Sequence, residues 1–248
     1  MALREEFEKS GNWLFRWRSY LPLLLAPLLV AALFESAYSD GTVWNIPADY
    51  FRALAILISI LGFLVRCITA GYVPRGTSGR NVACQEAQCL NTSGMYSMVR
   101  HPLYLGNSLM IFGITLFVGT WWLPLFTILL LWLYYERIMF AEEEFLRRKF
   151  GESYVEWASR TPAFLPAFPQ WKTPDLRFSL VTVLRREFSG YFGMASTFSF
   201  LGMIDDIIPS GECKIDSVWL AIFGISLAFY LIMVFLKKKT GVLQADGR

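Results

Sequence analysis

Long runs of uncharged, apolar residues constrain this chain more than any other feature it has. Six blocks, at 20–35, 50–73, 103–120, 122–140, 188–208 and 217–236, come close to the ~20 residues a helix needs to cross the hydrocarbon of a bilayer. Only 17% of the residues are charged while 55% are hydrophobic, against roughly 25% charged in an ordinary soluble domain. The expected fold class is therefore all-α, a polytopic membrane protein with about six transmembrane helices. Disorder and a disulfide-stapled secreted domain are excluded by the apolar content and by a count of four Cys in 248 residues. A net charge of +3 leaves no electrostatic footprint for nucleic acid. The start of the chain carries Glu5, Glu6 and Glu8, and no small-residue cleavage site follows the first block. It does not read as a cleavable signal peptide, so that block is expected to stay. Pro22 and Pro27 are expected to kink it or to lie near its start.

Cationic residues give the orientation. Nineteen of the 23 Lys and Arg fall in the N-terminal segment, the second loop, the long segment after the fourth block and the tail. The alternate loops hold only Arg52 and Lys214, while Arg66 and Arg137 fall inside spans. By the positive-inside rule both termini are cytoplasmic, and without a targeting or retention signal the expected site is a bacterial inner membrane. Trp44, Trp121 and Trp122 fall at the opposite interface, where plain lipid anchoring is the simplest reading. Spans three and four are separated by almost nothing around 120–124, which predicts a tight helical hairpin with adjacent cytoplasmic ends.

Both of those ends carry unusual charge. The segment entering span three runs Gly94-Met95-Tyr96-Ser97-Met98-Val99-Arg100-His101-Pro102-Leu103-Tyr104-Leu105-Gly106. Gly94 marks a turn and Pro102 suits a first helical position, so free N–H groups there could face an anionic ligand. Arg100 and His101 could equally be headgroup anchors. The segment leaving span four contains Glu142-Glu143-Glu144 and then Arg147-Arg148. At i, i+4 spacing Glu143 faces Arg147 and Glu144 faces Arg148, as on a solvated helix face. Glu142 instead lines up with Tyr135, Ile138 and Leu146 in an apolar stripe. An acid there is a functional candidate that needs a cationic partner. With Glu136 and Arg137 one to two turns deeper, a charged pocket at the cytoplasmic face becomes as good a reading as isolated anchors.

Other chemistry is thin. Cys84 and Cys89 are spaced C-x4-C, but His101 is the single His, so a zinc site lacks ligands and no metal is expected. No glycine-rich nucleotide motif or nucleophile elbow occurs.

Taken together, Leu90, Gly94, Tyr96, Arg100-His101-Pro102-x-Tyr104-x-Gly106, the hairpin, Glu142-Glu143-x-x-Leu146-x-x-x-Phe150-Gly151-x-x-Tyr154, Pro162 and Leu165-Pro166 resemble the isoprenylcysteine carboxyl methyltransferase and phospholipid methyltransferase family. The resemblance covers about 85–166. It implies an integral membrane, S-adenosylmethionine-dependent methyltransferase, with the cofactor open to the cytoplasm and a lipid or lipidated acceptor entering from the bilayer. Carried over, Leu90, Tyr96, His101, Pro102, Leu103 and Tyr104 line the cofactor site and Glu142 holds its ammonium; Gln85 and Gln88 are alternatives in the preceding stretch. Arg100, Arg137 and Glu143 are the candidate catalytic residues, with the two Arg orienting an anionic headgroup, a carboxylate or phosphate oxygen. One departure stands out: where the family often has an Arg four residues before its first Glu, this chain has Ile138, and Arg137 is one earlier. The implied division is an N-terminal two-span region (1–84), a motif region (85–170) and a C-terminal two-span extension (171–248). The competing readings are an NADPH-dependent sterol-type reductase and a non-catalytic membrane protein of the same fold.

Overall fold

The computed structural model describes residues 2–38, 42–43, 46–74, 87–210 and 216–243. Trp44, Cys84, Gln85 and Lys214, discussed above, lie outside the described residues. The nine α-helices among those residues are α1 (Leu3–Trp17), α2 (Ala26–Ala37), α3 (Ala48–Tyr72), α4 (Met95–Met98), α5 (Pro102–Phe117), α6 (Trp122–Phe150), α7 (Glu152–Arg160), α8 (Leu180–Ser210) and α9 (Ser217–Lys239). A minimal antiparallel pairing joins Thr42–Val43 to Ile46–Pro47, and a single antiparallel bridge joins Gly94 to Lys172.

Every expected span is helical, but they differ in reach. Asp49–Tyr72, Trp122–Phe150 and Ser217–Lys239 are long and apolar enough to cross a membrane. A fourth joins them if Leu3–Trp17 and Leu21–Ala37, bent by 83°, form one broken span. Helix α5 is apolar but has 16 residues. The uncharged middle of α8 is interrupted by Gly190, Gly193, Ser196, Ser199 and Gly202. Length and composition thus give three or four crossings among the described residues rather than six. The bend falls before both prolines: Pro22 lies in the first turn of a 3₁₀ segment (Leu21–Leu25) and Pro27 in the first turn of α2, where a missing N–H costs nothing.

Close backbone contact organises the centre. Helices α3 and α5 run antiparallel with glycines at their crossing: a Cβ on Gly62 would lie 2.6 Å from the Gly106 carbonyl oxygen, and one on Gly113 2.4 Å from that of Ala55. Small residues let helices approach where lipid offers no hydrophobic drive for association. Leu29, Leu33, Phe51, Leu116, Leu123 and Phe198 close a buried core from α2, α3, α5, α6 and α8. Helices α5 and α6 form the expected hairpin, turning through Gly119 at φ +83°. Trp121 is exposed, whereas the Trp122 Nε1 donates to Glu35 at 2.9 Å.

Helix α6 does not stop at the expected boundary but continues to Phe150, and α1 lies along this extension. Phe7 meets Phe140 edge-on, Gly11 abuts the Arg137 carbonyl, and Arg148 bonds Glu8 at 2.6 Å. The solvated-face reading of Glu143 and Glu144 is corrected here. Glu144 is 5% exposed and pairs with Arg4 of α1, while Glu143 turns toward α5. Packing of α1 and α5 against both sides of α6 redirects the two acids.

Gly62→Leu or Gly113→Leu should separate α3 from α5 and destabilise the bundle by about 1–3 kcal/mol, as overpacking does. Leu129→Ala, on an exposed flank of α6, should cost under about 0.5 kcal/mol. Melting temperatures in detergent compare them.

Candidate functional site

His101 sits where three pieces of chain converge. It precedes Pro102, the first residue of α5, and its carbonyl accepts from the backbone N–H groups of Tyr104 and Leu105 at 3.1 Å each. Its own N–H donates to Ala163 at 3.2 Å, that of Arg100 to Pro162 at 2.9 Å, and that of Ala167 to Met98 at 2.9 Å. A strap carrying Pro162, Leu165 and Pro166 thereby fixes the approach to α5 by backbone bonds. Gly94, at φ +59°, turns the chain into α4 at a conformation few side chains adopt.

The His101 side chain is 4% exposed and lies between two carboxylates of α6. Nε2 is 3.0 Å from Glu143 Oε1, and Nδ1 is 3.6 Å from Glu142 Oε2. Consecutive residues diverge by about 100° around a helix, so Glu142 and Glu143 can embrace the ring from two sides. Glu143 also accepts from Arg100 Nη1 at 3.0 Å. Burial opposes charge on the imidazole, but the carboxylates of Glu142 and Glu143 outweigh it and raise the His101 pKa. Tyr104 stacks on the His101 ring at 5.7 Å and on Tyr135 at 5.0 Å. Burial, then the negative Glu142, pushes the Tyr96 hydroxyl up, so it stays protonated.

These groups border a cavity of about 710 Å³, within the ~300–1,000 Å³ range of small-molecule sites. Leu90, Tyr96, Arg100, His101, Pro102, Leu103, Tyr104 and Glu142 all line it, and Glu143 stands behind the wall holding Arg100 and His101. Glu142, with its side chain 32% exposed, presents a carboxylate to the space. Among the described residues, no group of three or more His, Cys, Asp or Glu is arranged to hold a metal.

Arg137 is not brought to this cavity. Its guanidinium lies 3.3 Å from the centre of the Phe7 ring, because five residues rotate it about 140° around α6 from Glu142, toward α1. The neighbouring Ile138 is fully buried against Phe15, Tyr104, Leu131 and Tyr135. The cavity also contains residues that the motifs did not reveal: Arg18 at the end of α1, Arg66 of α3, Asn107 of α5, Trp157 of α7 and Gly190 and Gly193 of α8. Arg66 carried a signal, being a cation within an apolar block. The α8 residues had none, because their motif-free segment meets the site only through packing.

Since the His101 pKa is raised, the charged clamp stabilises the fold fully below the ordinary imidazole range and loses that contribution as pH climbs through the raised value. The melting temperature of the wild type should therefore fall over that alkaline interval, and His101→Gln should flatten the dependence. Parallel curves for the two proteins would refute the clamp.

Residues 51–153 match the phospholipid methyltransferase family. The chain is 33% identical over 150 residues to the cobalt-zinc-cadmium resistance protein CzcN of Cupriavidus metallidurans, covering 60% of this chain and 62% of that protein. It is 29% identical to the protein-S-isoprenylcysteine O-methyltransferase of Schizosaccharomyces pombe over 57% of this chain and 66% of that one. With the nickel-cobalt-cadmium resistance protein NccN of Alcaligenes xylosoxydans xylosoxydans it shares 27% identity over 84% and 86%. The matched part thus spans a little under two thirds of the first two relatives. No solved structure matches. The stretch that supplies both flanks of the His101 clamp, with most of α3 and all of α5 and α6, thus lies within the part that matches the phospholipid methyltransferase family.

Proposed function

We propose that this chain is an integral membrane, S-adenosylmethionine-dependent methyltransferase acting on a membrane-embedded lipid or lipidated acceptor through an anionic carboxylate or phosphate oxygen. The observation that carries this reading is the Glu142 carboxylate, presented to a cavity of suitable size beside the His101 clamp, within the family-matched segment. The name of the S. pombe relative, an O-methyltransferase of isoprenylcysteine, supports an oxygen on a lipid-bearing acceptor.

The donor set fits the methyl donor. Its ammonium asks for a carboxylate, which Glu142 offers; its carboxylate asks for a guanidinium, and Arg18 and Arg100 border the same space. Arg100 Nε is buried with no hydrogen-bond partner. The stacked Tyr104 and Tyr135 supply aromatic faces, which favour nearby cations. When bound, the donor supplies an electrophilic methyl carbon on a sulfonium.

The work left to the protein is positioning. Glu143 and His101 lock each other and so hold Glu142 and Arg100 in one arrangement. Holding two reactants aligned can contribute up to ~7–11 kcal/mol, and the aromatic wall keeps water from the reacting atoms. An acceptor oxygen that is already an anion needs no base, so no side chain has to take a proton. Arg100 offers an anionic oxygen group at this end of the cavity a planar fork of donors that orients it.

The membrane arrangement we infer has six crossings, by α2, α3, α5, α6, α8 and α9, with both termini cytoplasmic in a bacterial inner membrane; the Lys and Arg distribution supports it. Helix α5 is about 24 Å long, short of the ~30 Å hydrocarbon thickness, so its His101 end lies within reach of lipid headgroups. The division into 1–84, 85–170 and 171–248 is kept as a working description.

Membranes containing the protein, incubated with methyl-labelled S-adenosylmethionine, should yield labelled lipid, released rapidly by base for a carboxyl ester and slowly for a phosphate ester. Glu142→Ala should weaken donor binding by roughly 10- to 100-fold, the ~1.5–3 kcal/mol of a charge-assisted hydrogen bond, and cut transfer accordingly. Wild-type transfer by that variant would overturn the assignment.

A further inference from the structure

We propose that Arg66 of α3 receives the anionic group of the acceptor and that Glu187, contributed by α8 from outside the family-matched segment, is the positioning residue that aims it. The inference rests on the methyltransferase reading and adds the part of the cavity that reads the acceptor.

An Arg within an apolar helix, as Arg66 is in α3, is costly and needs both a partner and a purpose. Arg66 has strong partners. Its Nε and Nη2 donate to the two oxygens of Glu187 at 2.8 and 3.0 Å, and Nη1 donates to Asn107 Oδ1 at 2.6 Å. The side chains of Arg66 and Glu187 are 15% and 5% exposed. Helix α5 makes room with Gly106, where a Cβ would lie 2.6 Å from Arg66 Cγ. A guanidinium has five N–H groups, so two remain beyond these three bonds.

A second pair gives the contrast. Arg52 and Asp205 also join α3 to α8, but neither borders the cavity. They tie the helices, with Arg52 also near Asp49 and over the Phe117 ring. Arg66 performs the same tie while forming part of the cavity wall.

Position along the cavity supplies the ligand chemistry. Asn107 lies six residues beyond His101 on α5, about 9 Å further along the axis. Between the two poles stand the stacked Tyr104 and Tyr135. Past Arg66 the wall turns apolar, with Met110, Ile111 and Ile114 on one side and Met194 on the other. On α8 a Cβ at Gly193 would meet nothing within 4 Å, so the space there is open. A molecule that fits this gradient has an anionic oxygen group joined directly to an apolar chain: a lipid carboxylate or a lipid phosphate. Its head would rest on Arg66, its chain between α5 and α8, and its oxygen toward the Glu142 pole.

The full-length protein, in phosphatidylcholine vesicles doped with lipid extract of the producing cells, tests this. Donor binding is read from the thermal shift with S-adenosylmethionine and transfer from label in the lipid fraction. Arg66→Met with Glu187→Met leaves no buried charge unpaired, so the fold survives. It should keep the donor-induced shift and lose transfer by at least ~10-fold, the worth of one charge-assisted hydrogen bond. Arg52→Met with Asp205→Met should retain transfer, and Arg66→Lys should recover part of it. Base lability of the label separates carboxylate from phosphate. Undiminished transfer by the Arg66/Glu187 variant would make the pair a mere tie and overturn the inference, as would loss of donor binding in step with transfer. A wild type that binds donor but labels no lipid would overturn it while leaving donor recognition standing. A wild type that does neither removes the methyltransferase reading itself.

Discussion

The buried imidazole of His101 between Glu142 and Glu143 is the contact on which the site depends. Taking a ring and two acids out of water is expensive unless each is paired. Pairing here draws together the start of α5, the C-terminal extension of α6 and, through Glu143, the guanidinium of Arg100. The strap at Pro162 and Ala163 adds backbone bonds to the same two residues. Side-chain charge and main-chain hydrogen bonds therefore specify one arrangement at a point where a helix hairpin alone would leave freedom.

Polarity then falls off in one direction. Charge is concentrated where α5 begins, Tyr104 and Tyr135 follow, the Arg66–Glu187 pair comes next, and apolar side chains close the far end. The proposed reaction, which joins a charged, water-borne methyl donor to an acceptor dissolved in lipid, calls for such a gradient, because each reactant arrives from a different solvent. Glycines at the α3–α5 crossing and along α8 make the space possible, the first by letting backbones touch and the second by leaving volume open.

The stripe containing Tyr135, Ile138 and Glu142 was legible because helical periodicity places those residues on one face before any tertiary contact is known. The hairpin was legible from the absence of chain between two apolar runs. Glu143 and Glu144 were misread for the opposite reason. Arg147 and Arg148 are the nearest following cations in sequence, but α1 and the segment entering α5 bring closer ones from more than 40 residues away. Arg137 was expected at the site on the strength of a motif displaced by one position, and one position on a helix is a turn of about 100°, enough to aim it at Phe7 instead.

By itself the sequence determined that this chain is helical and membrane-embedded, where its hairpin lies, and which acids and cations crowd one end of that hairpin, since all of these follow from local spacing and from the cost of charge in hydrocarbon. Only the tertiary structure decided which charges meet. It set Glu144 against Arg4, Glu143 against Arg100 and His101, and Glu187 against Arg66. Such pairings depend on which helix faces pack together, and the small residues at the crossings govern that packing without leaving a charge pattern in the chain to read.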